Sequence, residues 1–265
     1  MPKIGIIGLG FVGEAIRHSC EFGLSNVVCL DTDIRKGYTG TYSELLECDG
    51  IFVCVPSPMN DDGSCNTSIL ESVLKNLVDF KGVIISKVTA PPNVYQRLNK
   101  EYPNLVHSPE FLTAANAARD YRNATWSIIG GDVRAYRHEA ERIIKYTQPE
   151  LQSVKFCSIG DAALAKYAIN NFLATKVVFM NELYQLANKA GLNFDVVANL
   201  IKQDERIGNS HMQVPGPDGS LGFGGYCFPK DTEALLKFAE ENEAHLSLIT
   251  TAVQKNLLLR LTEPK

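Results

Sequence analysis

Two groups of residues in this 265-residue sequence have the types and spacing to do chemistry. The first is the run Gly222-Phe223-Gly224-Gly225-Tyr226-Cys227-Phe228-Pro229-Lys230-Asp231. Cys227 stands between a glycine-rich loop and a helix predicted to begin near Pro229. Proline is favoured in the first turn of a helix, and Lys230 adds positive charge beside the helix dipole. Both features favour the thiolate, the nucleophilic form of cysteine. Gly224 and Gly225 leave room for a substrate to approach the backbone closely. The plain alternative is a flexible surface loop, carrying Gly216, Gly219 and Gly222 as well, with an incidental cysteine. The second group is Lys166 and Asn170, which are four residues apart and so share one face of a helix. A lysine and an amide on one face can stabilise an oxyanion, although a helix lysine is more often a solvated surface residue.

Near the start of the chain, Gly8-Leu9-Gly10-Phe11-Val12-Gly13 follows a predicted strand and opens a predicted helix. Glycines in this pattern make a tight turn and let a pyrophosphate approach the helix N-terminus. The next strand ends in Asp31, 18 residues after Gly13, where a carboxylate can accept hydrogen bonds from an adenosine ribose. An acid there repels a 2′-phosphate, so NAD is the expected cofactor in preference to NADP. Arg35 and Lys36 lie close enough to soften that preference. The competing reading is a fold of the same kind whose glycine turn binds no cofactor.

The elements that must position these residues follow from hydrophobic periodicity. Short apolar runs at Ile4 to Ile7, Val27 to Leu30, Ile51 to Val55, Val83 to Ser86, Leu105 to His107 and Trp126 to Ile129 alternate with helical patterns. That alternation implies βαβ units and a parallel sheet covered by helices. After Ile159-Gly160-Asp161 the pattern becomes one long helix, with Asp161 as expected N-cap and Gly191 as expected C-cap. Ile169, Phe172, Leu173, Val177, Met180, Tyr184 and Ala187 form its apolar stripe, over a length on the order of 40 Å. Shorter helices are predicted at about Phe194 to Gln203, Lys230 to Asn242 and Leu246 to Leu261, with the glycine- and proline-rich loop Arg206 to Phe228 between the first two. The expected class is α/β: a Rossmann-type parallel sheet in residues 1–158, then an all-helical central domain in residues 159–265 that carries the cysteine loop. The long helix 161–190 outreaches a small core and is expected to pack in both domains and to form a homodimer, a purely intramolecular core being the alternative.

Composition narrows the partners. A net charge of −4 leaves no basic excess for a nucleic-acid backbone. No apolar run approaches the roughly 20 residues that span a bilayer, and Met1-Pro2-Lys3 leads straight into a strand, so a membrane partner is not expected. Seven cysteines, an odd count with no CxxC pair and no Cys/His ligand set, fit a reducing cytoplasm and no metal. Cys29 and Cys54 fall in apolar runs and read as buried small hydrophobes.

Taken together these residues resemble the UDP-glucose/GDP-mannose dehydrogenase family. Beside the cysteine loop and the glycine turn, the resemblance rests on Val55-Pro56-Ser57-Pro58, Lys87-Val88-Thr89-Ala90-Pro91, Ser108-Pro109-Glu110-Phe111-Leu112, Asn181-Glu182-Leu183 and Arg206-Ile207-Gly208. It implies oxidation of the primary alcohol of a nucleotide sugar to a carboxylate through a cysteine thioester, with two NAD molecules reduced. It also implies roles. Cys227 is the nucleophile, Lys166 and Asn170 stabilise the oxyanion, Asp231 supports base and water chemistry, Glu110 assists thioester hydrolysis, and Thr89 serves the proton relay and the nicotinamide region. Gly8, Gly10, Phe11, Val12, Gly13, Asp31, Lys36, Ser57 and Thr89 are the implied cofactor residues. Phe111, Leu112, Lys166, Asn170, Arg206, Gly222, Phe223, Gly224 and Gly225 are the implied substrate residues, with Arg206 reaching across a dimer interface. The family's second glutamate, four residues after Glu110, is Ala114 here. The family also has a further nucleotide-binding domain after the central helices, whereas this sequence stops at Lys265, so it reads as a member without that domain. The alternative is a non-catalytic NAD-binding or assembly module derived from the family by truncation.

Overall fold

A computed structural model describes residues 2–21 and 26–262. The strands are β1 (Ile4–Ile7), β2 (Val27–Leu30), β3 (Gly50–Val53), β4 (Val83–Ser86), β5 (Leu105–His107), β6 (Trp126–Gly130) and β7 (Ser153–Cys157). The helices are α1 (Phe11–Glu21), α2 (Tyr42–Leu45), α3 (Ser68–Asn76), α4 (Pro92–Glu101), α5 (Ala117–Arg122), α6 (Arg134–Thr147), α7 (Ile159–Lys189), α8 (Phe194–Ile201), α9 (Cys227–Glu241) and α10 (Ser247–Arg260). The chain divides into two compact units, residues 1–60 with 65–166 and residues 61–64 with 167–265. The boundary falls inside α7, after Lys166.

In the first unit the sheet order is β2-β1-β3-β4-β5-β6-β7. Successive side chains on a strand point to opposite faces, and both faces of this sheet are buried. Ile7, Ile51, Val53 and Ile84 face a core shared with Leu45, Leu70, Leu74, Tyr95 and Leu98 of α2, α3 and α4. Ile4, Ile6, Phe52, Val83 and Ile85 face the opposite core, shared with Ile16 of α1 and Ile143 and Ile144 of α6. Coverage on both sides is what makes these strands near-continuous apolar runs.

The α/β reading therefore holds, with two differences in the sheet. β6 meets β5 antiparallel, through the single register pair His107↔Gly130, so the sheet is mixed rather than parallel throughout. β7, which the periodicity did not predict, pairs parallel with β6. Its residues are half-buried or exposed, Lys155 among them, as expected of an edge strand that lacks the apolar run of a central one.

The second unit is built on α7. The helix begins at Ile159, two residues before the expected cap. Ser158 is the residue that accepts from the Asp161 backbone N–H (3.1 Å), while its hydroxyl donates to the Asp161 carboxylate (2.7 Å). The far end is as expected. Gly191 has φ +70°, and the N–H groups of Leu192 and Gly191 donate to the Ala187 and Asn188 carbonyls, a Schellman arrangement. The apolar stripe is only partly the expected one. Met180 and Ala187 are buried with Ala174 and Val178, but Phe172 is 67% exposed. Phe172, Phe179 and Leu186, seven residues apart, form a second and exposed apolar row.

The loop between α8 and α9 is no flexible strap. Met212, Val214, Leu221 and Phe223 are buried in one core with α7, Phe194 and Ala198 of α8 and Ala252 and Leu259 of α10. Gly191→Ala tests the end of α7. No heavy atom lies within 4 Å of an added Cβ, so the cost is conformational and should be about 1 kcal/mol, read as a lower midpoint in urea unfolding at unchanged slope.

Candidate functional site

The glycine turn is shaped by contacts that only hydrogen tolerates at two of its three positions. Gly8 has φ +87°, and a Cβ there would lie 2.9 Å from the Cys54 backbone. A Cβ on Gly13 would collide with the Gly8 carbonyl oxygen, so α1 can pack this close to β1 only with glycine at that position. Gly10 is different, with no atom within 4 Å of its Cβ position. It opens onto a cleft of about 710 Å³ whose wall includes Phe11, Glu14, Lys36 and Ala115 to Arg119. Phe11 is exposed and Val12 packs partly on the core beneath. This is the shape a dinucleotide needs: a turn held by Gly8 and Gly13, and an unobstructed approach over Gly10 to the first N–H groups of α1.

Asp31 lies at the end of β2. Its Oδ2 accepts from the Leu9 backbone N–H (2.6 Å) and from Lys36 Nζ (2.8 Å), and its Oδ1 accepts from the Asp33 N–H (2.8 Å). Burial opposes ionisation of this carboxyl, but the Lys36 ammonium and the two backbone donors outweigh it and hold the group below its usual range. Lys36 also donates to the Leu9 carbonyl (2.9 Å), tying the glycine turn to the acid. Arg35 is turned to Asp33 through two charge-assisted hydrogen bonds of 2.7 and 2.8 Å.

In the loops that follow β3 and β4, the Ser57 hydroxyl donates to the Thr89 carbonyl (2.7 Å), and the Cys65 thiol reaches the same oxygen. Tyr95 donates to the Val88 carbonyl. The Thr89 peptide is thus fixed by its neighbours. Glu110, partly buried, pairs with the buried Lys166. Lys166 Nζ lies 3.1 Å from Glu110 Oε1 and also donates to the Glu110 carbonyl, while Glu110 Oε2 accepts from the Leu112 N–H (2.8 Å). Lys166 sits 5.2 Å from the centre of the Phe111 ring, which is stacked on Trp126. The plain reading of Lys166 as a solvated surface lysine is excluded, since its side chain is 5% exposed.

In the second unit Asn170 Nδ2 donates to Asp231 Oδ2 (2.6 Å), and Lys230 Nζ donates to Asp231 Oδ1 (2.5 Å). Asp231 is 1% exposed. Lys230, expected simply to add charge near the thiol, thus forms an ion pair with its neighbour. Cys227 is exposed and is the first residue of α9, which begins two residues before the expected start. Pro229 then falls inside the first turn, where the backbone N–H it lacks has no intrahelical partner to lose.

The glycine loop ahead of Cys227 is anchored by two buried amides. Asn181 Oδ1 accepts from the Gly222 N–H (3.0 Å), while Asn256 accepts from the Phe223 N–H and donates to the Phe223 carbonyl. Gly222 and Gly225 both have φ +75°. Gly224 lies against Arg260, whose guanidinium pairs with Asp218 at 2.7 Å. Arg206 is exposed and held within its own loop by Asp204. Asn256 lies outside every quoted motif, and its role was invisible in the sequence. Among the described residues, no group of three or more His, Cys, Asp or Glu side chains is placed to hold a metal ion, and no helix is long and apolar enough to cross a membrane.

Residues 36–148 match the NAD binding domain of the UDP-glucose/GDP-mannose dehydrogenase family, and residues 160–257 match the central domain of the same family. The chain belongs to that family. It is 30% identical to a UDP-glucose 6-dehydrogenase of Rhizobium meliloti, over 96% of this chain and 67% of that protein. It is 29% identical to a putative UDP-glucose 6-dehydrogenase of Bacillus subtilis, over 95% of this chain and 66% of that protein. The fold is shared with a UDP-glucose dehydrogenase from Pyrobaculum islandicum, at TM-score 0.81 and 24% identity over 97% of this chain and 68% of that one. The chain spans just under two thirds of the length of the first curated relatives it matches.

Lys87 is a second buried lysine in the first unit. Its ammonium donates to Ser108 Oγ (3.0 Å), and burial lowers its pKa to about 8, with Cys54 and Glu110 opposing the shift and Lys166 adding to it. The unfolded chain therefore binds the extra proton between about pH 8 and the ordinary lysine range, so this group makes stability rise with pH there. The Cys54 thiol, pushed up to about 12 by burial, works in the opposite direction above about pH 9, where an unfolded thiol ionises. From pH 8 to 9 the wild-type unfolding free energy should accordingly rise relative to Lys87→Met, by up to roughly 1 kcal/mol. Urea titrations at each pH would check it, and parallel curves for the two proteins would refute the assignment.

Proposed function

We propose that this chain is an NAD-dependent dehydrogenase that oxidises the primary alcohol of a nucleotide sugar to a carboxylate through a thioester on Cys227. The observation that carries the reading is the exposed Cys227 at the head of α9, on a loop fastened by Asn181 and Asn256, four residues ahead of the buried Asp231–Asn170 pair. A loop with no chemical role needs neither its cysteine exposed nor a carboxylate buried beside it.

The cofactor residues fit NAD. The pyrophosphate would lie over Gly10 at the first turn of α1, between Gly8 and Gly13, with Phe11 and Val12 flanking it. Asp31, tied to the turn through Lys36, would accept from the adenosine ribose, and Ser57 with Thr89 would border the nicotinamide. NAD, when bound, supplies the hydride acceptor for both oxidations. The side chains supply the rest. A base must take the alcohol proton as hydride leaves, and Thr89 belongs to that relay. The Cys227 thiol then adds to the aldehyde carbon to give a thiohemiacetal. Loss of a second hydride and a proton leaves the thioester, and water releases the carboxylate and regenerates the thiol. Lys166 and the Asn170 amide are assigned the developing oxyanion, whose negative charge a buried cation stabilises more strongly than water does. Asp231 is assigned to the base and water chemistry and Glu110 to hydrolysis. Phe111, Leu112, Arg206 and the loop Gly222, Phe223, Gly224 and Gly225 are the proposed substrate contacts.

The same reading includes a homodimer through α7, supported by the exposed row Phe172, Phe179 and Leu186 (67%, 55% and 61%), since exposed apolar rows of this kind mark interfaces. Two experiments test the proposal. Purified protein with NAD and UDP-glucose or GDP-mannose should form two NADH per sugar, and Cys227→Ala should abolish carboxylate formation; no turnover on any nucleotide sugar would leave the non-catalytic alternative. Phe172→Glu combined with Phe179→Glu should convert a dimer to a monomer in sedimentation equilibrium, and an unchanged mass would remove α7 as the interface.

A further inference from the structure

Beside the Glu110–Lys166 pair the first unit holds a cavity of about 220 Å³ whose wall includes Lys87, Tyr121, Ser127 and Gln148. Three observations single it out. First, Lys87 is buried yet forms no ion pair among the described residues. Its three ammonium hydrogens have one hydrogen-bond acceptor, Ser108 Oγ at 3.0 Å, and the face of the Tyr121 ring at 5.8 Å. A buried ammonium in that state lacks the acceptors that ordinarily compensate its lost hydration. Second, Gln148 Oε1 is buried with no partner. Its Nε2 donates to the Tyr121 carbonyl (3.3 Å), which fixes the amide so that the oxygen, an acceptor, is the unsatisfied atom. Third, the other charges of the wall are engaged. Glu110 is bound by Lys166 and the Leu112 N–H, and Asp120 accepts from the Thr113 N–H and hydroxyl (3.0 and 2.6 Å).

An unsatisfied cation and an unsatisfied acceptor on one cavity call for a ligand that presents both a negative oxygen and an O–H group. We propose that this cavity is a binding site for a small hydroxylated oxyanion of the hydrogencarbonate or hydrogenphosphate type. Its oxygens accept from Lys87, and its O–H donates to Gln148 Oε1. The Ser108 and Ser127 hydroxyls, 3.3 Å apart, orient to serve either partner. Oxyanions without an O–H, such as sulfate or nitrate, place a bare oxygen against Gln148 Oε1 and are disfavoured. The lowered pKa of Lys87 agrees with an ammonium that lacks its counter-ion. The wall also includes Glu110, Phe111 and Leu112 of the proposed reaction site, but Lys87 and Gln148, on which the binding rests, have no part in that reaction, so the proposal does not depend on it.

The test uses the full chain at pH 7.5 and constant ionic strength, with chloride replaced stepwise by hydrogenphosphate or hydrogencarbonate. The melting temperature should rise saturably, and sulfate and nitrate should require at least tenfold higher concentration for the same rise. The first turn of α1 also attracts anions, so attribution rests on the variants. Lys87→Met, which removes a buried charge and is expected to fold, should lose the hydroxylated-anion response and keep only what sulfate also produces. Gln148→Leu should bind but lose the preference for hydroxylated anions. A response of equal size in wild type and Lys87→Met overturns the proposal, as does the absence of any response or equal potency of sulfate in the wild type. Should a variant fail to fold, the wild-type anion order alone decides.

Discussion

A polar group taken out of water must find a partner inside the protein, and on α7 this demand fixes much of the molecule. The buried face of that helix carries Lys166, Asn170, Asn171 and Asn181, which no apolar core can satisfy. Each recruits its complement. Lys166 draws the Glu110 carboxylate and carbonyl, Asn170 and Asn171 take the Asp231 side chain and backbone carbonyl, and Asn181 receives the Gly222 N–H. Removing one member of a buried charged pair typically costs 3–5 kcal/mol, because the other is left uncompensated. The strand-end segment 108–112, the first turn of α9 and the glycine loop are therefore each held in place by contacts with polar side chains of α7. In the proposed function these groups serve twice, as structural partners and as the reacting environment.

This double use explains which features the sequence made legible. Residues that meet a local rule could be read directly. The apolar run Ile4 to Ile7, alternating with helical patterns like the runs after it, assigned β1 to a sheet covered by helices, and Gly8, Gly10 and Gly13 placed a glycine turn between β1 and α1. Gly191 ended α7 where expected. The cysteine loop was conspicuous because its glycines, thiol and acid are contiguous. What escaped was decided by long-range partners. β7 carries Lys155 and is half-exposed, so no periodicity marks it. The antiparallel entry of β6 depends on the path of residues 108–125, which no local pattern encodes.

The misplaced helix starts share a cause. Asp161 is a good capping residue, and Pro229 a good first-turn residue, but the chain begins each helix two residues earlier. At α7 Ser158 accepts from the Asp161 N–H, and at α9 proline costs no hydrogen bond anywhere in the first turn. Propensity named the right turn in both cases and could not choose the residue within it. Phe172 is the more instructive error. Counted by spacing it belongs to the core stripe, yet Asn170, Asn171 and Ala174 occupy the buried face around it and the aromatic ring is left outside. A helix with apolar residues on more than one face has no single stripe for periodicity to find. Asn256 left no mark at all and Lys87 stood in a motif without a role of its own, since a buried amide and a buried lysine look like surface residues until their surroundings are known.

The adenosine end of the proposed cofactor site shows how little has to move for a ligand to bind. An ionised carboxylate offers about four acceptor positions, and Asp31 uses three, for Leu9, Lys36 and Asp33. One lone pair on Oδ1 is left for a ribose hydroxyl, so binding requires no contact to be broken. A 2′-phosphate would instead bring two negative charges beside a carboxylate held firmly in its ionised form. The nearby cations do not relieve that repulsion as they stand: Lys36 is shared between Asp31 and the Leu9 carbonyl, and Arg35 is paired with Asp33. The preference for NAD then rests on the engagement of Arg35 and Lys36 as well as on the presence of Asp31. In the sequence alone the two cations lie close enough to soften that preference, and their partners remove the objection.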